Sequence, residues 1–256
     1  MIRAAAILAC LALAGCSGGS PPVRYSEGFM RDVRNTANPS DVVATEIAFA
    51  RAAREDGQWT AFRRFLADGG VIHGRNGVID AAGFLATQSD PPVPVQWTPL
   101  AVWSSCDGQL AVSQGKFAEP GGSWGYYVTV WERQRDGTYR WTYDIGAPDT
   151  ALTQRENRDR EPQTEDESVI VVQAIPMIQG EVADCRTADA PPADPAWSDA
   201  PGAASGGGIS RDGTLTWRWQ QRADGRRLFA AQHWRGGQWQ PAIDFAVTAE
   251  GRFDPQ

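Results

Sequence analysis

Trp124-Gly125-Tyr126-Tyr127-Val128-Thr129-Val130-Trp131-Glu132-Arg133, then Asp136-Gly137, then Tyr139-Arg140-Trp141-Thr142-Tyr143-Asp144-Ile145 is the stretch that decides the fold. β-Branched and aromatic residues fill both runs, and the Asp-Gly pair between them is a strong hairpin signal. Upstream, Leu110 to Ala118 reads as the preceding strand and Asp107-Gly108 as its turn. Val95, Trp97, Ala101 and Trp103 give one more strand of period two after Pro94. Before Pro94 the period is helical. Asn38-Pro39-Ser40-Asp41 is a capped helix start, and that helix runs to Asp56, with Val43, Ile47, Ala50 and Ala53 on one face, widened by Val42 and Phe49. Trp59, Phe62 and Leu66 mark a second, short helix ended by Gly69-Gly70. Val71-Ile72-His73 reads as a short strand, Asn76-Gly77 as a turn, and Val78 to Ala86 as a third helix.

Downstream, residues 148–168 are mostly polar and read as a solvated linker or frayed helix, and Val169 to Ile175 as a buried strand. Thr187 to Gly208 reads as a long loop. Leu215, Trp217 and Trp219 open a β meander that turns at Asp224-Gly225 and Gly236-Gly237. Such a small sheet needs a partner surface, which the first block supplies. The expected class is α+β: three N-terminal helices packed on a curved antiparallel sheet (38–147), plus a small C-terminal antiparallel β domain (169–256).

The order helix, short helix, strand, helix, long strands resembles the nuclear-transport-factor-2-like fold, whose superfamily includes the SnoaL-like polyketide cyclases and ketosteroid isomerase. The resemblance runs over roughly residues 40 to 147 and is carried by Ala48-Phe49-Ala50-Arg51-Ala52-Ala53, by Trp59 through Asp68, by Trp97-Thr98-Pro99, by Asp107-Gly108-Gln109-Leu110, by Gly125 through Trp131 and by Asp136 through Trp141. It implies a cystatin-like cone with a pocket between sheet and helices. It implies no reaction, because function resides in the site. Enzymes of the superfamily use a buried Asp or His as base with a Tyr or Asp donor. His73 and Asp144 are the candidate bases here, and Tyr126 and Tyr127 the candidate donors; adjacent strand residues face opposite ways, so at most one tyrosine faces the pocket. The plainer readings weigh more: His73 as a hydrogen-bonded histidine at a strand end, Asp144 paired with an arginine or at a wet sheet edge, Lys116 as a solvated strand residue. Trp103, Trp131 and Trp141 are candidates to contact a ligand or to plug the pocket.

At the start of the chain, Arg3 precedes an apolar run, Ala4 to Ala14, too short to span a bilayer. The run ends in Leu13-Ala14-Gly15-Cys16, which resembles the bacterial lipoprotein lipobox. The expectation is a signal peptide over residues 1–15, lipid on Cys16, and a tether over 16–37. Ser17 resembles outer-membrane sorting in a Gram-negative bacterium, with the chain facing the periplasm. Once Cys10 leaves with the signal and Cys16 carries lipid, Cys106 and Cys185 remain, and an oxidising envelope favours a disulfide between them over two free thiols.

The 256 residues suit one large domain or two small ones, and the formal charge of −7 argues against nucleic-acid binding. His73 and His233 are far apart in sequence and no Cys/His cluster has metal spacing, so neither metal nor cofactor is expected. Gly206-Gly207-Gly208 lies in no strand-to-helix frame and reads as loop. Three functions stay open: an envelope lipoprotein binding a small hydrophobic ligand or partner, an isomerase- or cyclase-like enzyme working by general acid/base chemistry, and a structural protein with a filled pocket. The oligomeric state stays open too, a dimer included.

Overall fold

The computed structural model describes residues 37–160, 177–185, 195 and 197–255. The expected signal, Cys16, almost all of the tether and the Val169–Ile175 strand lie outside them. Helix α1 (Pro39–Glu55) starts as its sequence demands: the Asn38 side chain accepts from Ser40 N at 3.2 Å, with Pro39 and Asp41 in the first turn. Its buried residues are Val42, Glu46, Phe49, Ala50, Ala52 and Ala53, whereas Ile47 is 46% exposed. The helix is therefore rotated from the Val43/Ile47 face expected from apolar periodicity, and a carboxylate enters the buried stripe.

Helix α2 (Gln58–Phe65) has no cap of its own. Asp90 caps it from the loop beyond α3 (Ala81–Ala86), accepting from Trp59 N at 2.6 Å, Thr60 N at 3.0 Å and Thr60 Oγ1 at 2.6 Å. Gly57, at φ 110°, makes room: a Cβ there would strike the Asp90 carboxylate. The chain leaves α2 directly into β1 (Leu66–Gly74), which begins before the expected Val71 because Leu66 already pairs with Trp141. Gly77–Asp80 forms strand β2 against β1, so the third helix starts only at Ala81, capped by Asp80.

Strands β3 (Gln96–Ser104), β4 (Leu110–Ala118), β5 (Trp124–Arg133) and β6 (Tyr139–Pro148) form an antiparallel meander. The full sheet is mixed, not purely antiparallel: its order is β2-β1-β6-β5-β4-β3-β7, with β1 parallel to β6 and β7 (Gln179–Val182) parallel to β3. A second, antiparallel sheet has the order β11-β10-β9-β8: β8 (Ala204–Ile209), β9 (Leu215–Gln221), β10 (Arg227–Arg235), β11 (Gln238–Val247). Gly206-Gly207-Gly208, read as loop, is thus an edge strand; its missing side chains let the Trp217 and Trp219 indoles lie against the backbone. Part of the expected linker is helix α4 (Thr150–Arg160), docked by buried Leu152 and by Lys116 Nζ, 2.9 Å from Glu156 Oε1. Lys116 is accordingly ion-paired and half-buried rather than freely solvated. The described residues thus hold four helices.

The first sheet buries both faces. Against the helices, Phe49 packs among Phe62, Phe65 and Trp97 with ring centroids 4.8–5.0 Å apart, and Trp131 and Trp141 lie beneath at 0% exposure. On the other face, Val128, Val130, Tyr143 and Ile145 pack with Leu215, Phe229, Ile243 and Phe245 of the second sheet. Each such side chain contributes roughly 1.5–3 kcal/mol of burial, so the two blocks read separately along the sequence are joined by one apolar interface. Cys106 and Cys185 form a disulfide, Cα atoms 5.1 Å apart, tying the β3–β4 turn to the segment after β7.

Candidate functional site

Between α1, α2 and the sheet lies a cavity of about 160 Å³ lined by Phe49, Gln58, Phe62, Val95, Trp97, Phe117, Tyr127, Thr129, Asp144 and Gly146. Two irregularities make it. Gly115 and Gly125 leave no Cβ, so the rings of Tyr127 and Phe117 lie directly on the backbone. And a bulge in β6 changes which side chains face the helices: Trp131 pairs with Trp141 but Val130 with Tyr143, so Thr142 is the extra residue. Before it, Tyr139 and Trp141 point at the helices; after it, Tyr143 and Ile145 point at the second sheet. Asp144, next to them, is thereby aimed into the cavity.

Asp144 accepts from the Thr129 hydroxyl at 2.7 Å. Burial raises its pKa to about 6, against the lowering effect of that hydrogen bond. Behind the cavity wall lies a second carboxylate, Glu46, 1% exposed. It accepts from Ser113 Oγ and, at a long 3.3 Å, from the Tyr127 hydroxyl; Trp131 Nε1 donates to the same Ser113 Oγ at 2.9 Å. Burial is the main cause that lifts Glu46 to about 7, with the charge of Asp144 adding to it and the hydrogen bond from Ser113 opposing it. Burial and the Glu46 charge likewise push the Tyr127 phenol upward, so Tyr127 is a neutral donor. At the mouth, Gln58 Oε1 accepts from Val95 N at 2.9 Å, tying the start of α2 to the segment before β3.

Of the residues singled out from the sequence, Asp144 and Tyr127 line this cavity together. Tyr126 faces the other way, its ring 5.0 Å from Phe253. His73 is on the opposite side of the sheet, 1% exposed, bonded through Nδ1 to Tyr143 OH at 2.7 Å and through Nε2 to Gln221 Oε1 at 3.1 Å. Burial holds its pKa down to about 4, so the ring is neutral at neutral pH, and an amide oxygen only accepts, which places the one ring proton on Nε2 and makes Nδ1 the acceptor from Tyr143. Trp131 and Trp141 are buried in the core between the first sheet and the helices and do not line the cavity, and Trp103 turns toward the second sheet, in a surface cleft with Glu181, His233 and Arg235. Glu46 and Gln58 were not singled out. Glu46 had a legible signal: it lies four residues after Val42 and three before Phe49, a carboxylate on an apolar helical stripe.

No family model matches the chain, and no curated protein matches it. Solved structures do: a ketosteroid isomerase-like protein from Shewanella frigidimarina NCIMB 400 matches with 18% identity and a TM-score of 0.29, over 40% of this chain and 90% of that one.

Proposed function

We propose that the cone cavity binds one small, mostly apolar molecule and that Asp144 acts on it as a general base. The observation that carries this is a carboxylate bonded to the Thr129 hydroxyl, raised to about 6, opening into a cavity otherwise lined largely by aromatic and aliphatic groups. An ionised group in such surroundings costs stability, and a site that only held an apolar ligand would be better without it. A base poised near neutrality is what proton abstraction needs. Size narrows the substrate: a cavity of roughly 150 Å³ takes a benzene-sized molecule, so one ring or a short branched chain fits inside. The element order and the pocket between sheet and helices support the nuclear-transport-factor-2-like reading of residues 38–147.

The test is deuterium exchange at the α-carbons of cyclohexanone in D₂O, followed by NMR. The protein should accelerate it, and Asp144→Asn should lose roughly 10²–10⁴-fold of that acceleration. Equal rates for both proteins would end the general-base reading and leave plain ligand binding, which the apolar lining favours. Native mass spectrometry of the chain from Ser17, without added ligand, then decides whether a small molecule is held at all.

Export and lipid attachment belong to the same proposal. They rest on the Leu13-Ala14-Gly15-Cys16 tetrapeptide behind an apolar run, and on a disulfide suited to an oxidising compartment. Metabolic labelling with radioactive palmitate should mark the chain in bacteria and be lost in Cys16→Ser; label retained in that variant would refute it.

A further inference from the structure

Ser105-Cys106-Asp107-Gly108-Gln109-Leu110 joins β3 to β4, and Ser210-Arg211-Asp212-Gly213-Thr214-Leu215 joins β8 to β9. Serine, aspartate, glycine and leucine recur at matched places, and they make the same bonds. In each turn the serine hydroxyl donates to aspartate Oδ1 at 2.6 Å and accepts the leucine N–H, at 3.1 Å in the first and 3.0 Å in the second. Gly108 and Gly213 have φ 65° and 67°. The next turns match as well: Glu119 N donates to Ser123 O and Arg222 N to Arg226 O, both at 2.8 Å, around Gly122 and Gly225 at φ 84° and 88°.

The registers agree strand by strand. Val112 pairs with Val130 and Val130 with Tyr143; Trp217 pairs with Ala231 and Ala231 with Ile243. The last two strands of each meander carry one extra residue, Thr142 in the first and Ala242 in the second, and each bulge is followed two residues later by an aspartate, Asp144 or Asp244. A shared turn type is common; a shared turn, register, bulge and aspartate in one order is not a matter of local propensity.

The two meanders pack through equivalent faces. Leu110 and Leu215, Val128 and Phe229, and Ile145 and Phe245 are register equivalents, and all lie in the core between the sheets. At the turn tips equivalents touch: Asp107 N donates to Asp212 Oδ2 at 2.7 Å. Contact between a residue and its own equivalent marks an approximate twofold axis, the geometry of an isologous dimer.

We propose that β8–β11 is a second copy of the β3–β6 meander, standing where a second chain would stand in a symmetric dimer, so that the chain is monomeric. The second copy keeps the partner's role and not the site: Asp244, at the place of Asp144, is exposed. Sedimentation equilibrium of the chain from Ser17 over a hundredfold range of concentration should give the monomer mass throughout; a dimer overturns the proposal. A protease site inserted between residues 186 and 194, in a chain whose circular dichroism matches the parent, provides the second measurement, because it leaves β7 and both Cys106 and Cys185 on the first piece. After cleavage the two pieces should sediment together at the uncut mass, because the contacts between the meanders hold the second piece without a covalent link. Pieces that separate after cleavage overturn it.

Discussion

Glu46 and His73 oppose each other in pH, and each can be isolated by one substitution. Glu46 has a folded pKa of about 7 against an ordinary 4.5. Between those values the unfolded chain loses the proton and the folded one keeps it, so stability is full below 4.5 and falls as pH rises through 7. The loss is about 3 kcal/mol once complete. His73 runs the other way: its folded value is about 4 against 6.5, so stability is full above 6.5 and falls on acidification through 4, by a similar amount of about 3 kcal/mol. Glu46→Gln should therefore be more stable than the parent at pH 8, and should lose stability on acidification more steeply than the parent does. His73→Gln should flatten or reverse that acid loss. Urea midpoints at pH 5 and pH 8 read both, and parallel profiles for parent and variants would show that neither group is desolvated. At this scale the sequence was legible in part. Strand alternation limits the pocket to one of Tyr126 and Tyr127, and Tyr127 is there. What alternation could not supply is the Thr142 bulge, because one unpaired residue leaves no trace in hydrophobic period; yet that bulge is what turns Asp144 toward the helices.

Asp90 shows how elements position the site from outside it. It is exposed, yet it accepts three hydrogen bonds at the start of α2, and the bonds from Thr60 hold its carboxyl below the usual range. Those bonds fix α2 beside the loop that carries Val95, and Gln58 bridges the two. Asp90→Ala should lower the Tm and speed amide exchange at Trp59, Thr60 and Val95 together. The sign of the pH effect follows from the lowered pKa: the contribution is present above the ordinary carboxylate value of 3.8 and disappears on acidification, so parent and variant should converge at low pH. Exchange that changes at Trp59 and Thr60 but not at Val95 would separate the cap from the cavity mouth. The strands were easier to read than this loop. Their period of two and their Asp-Gly turns are local signals, whereas a cap supplied from thirty-one residues away is a tertiary fact. For the same reason Val78 and Ile79, which continue a helical pattern into Ala86, pair instead as strand with Ile72 and His73.

Across the whole molecule, the disulfide and the apolar interface hold the second sheet to the first by different physics. Cys106 and Cys185 are 79 residues apart. A closed loop of that length restricts the unfolded chain by about 4–5 kcal/mol in the chain-entropy model, and removing the bond leaves the folded contacts in place. The interface acts in the folded state: Tyr143 stacks on Phe229 with centroids 5.3 Å apart, His73 reaches Gln221, and Arg227 donates to His73 O at 2.9 Å. Cys106→Ser with Cys185→Ser should therefore lower unfolding stability by up to about 4 kcal/mol while the transition stays single, because both sheets still share one core. Phe229→Ala should cost roughly 3–5 kcal/mol and should reach the first sheet as well, since its ring fills the same layer as Tyr143. Urea unfolding followed by tryptophan fluorescence and by amide exchange of β5 and β10 compares the two cases. If the double serine variant unfolds in two steps, β10 before β5, then the bridge and not the interface couples the sheets.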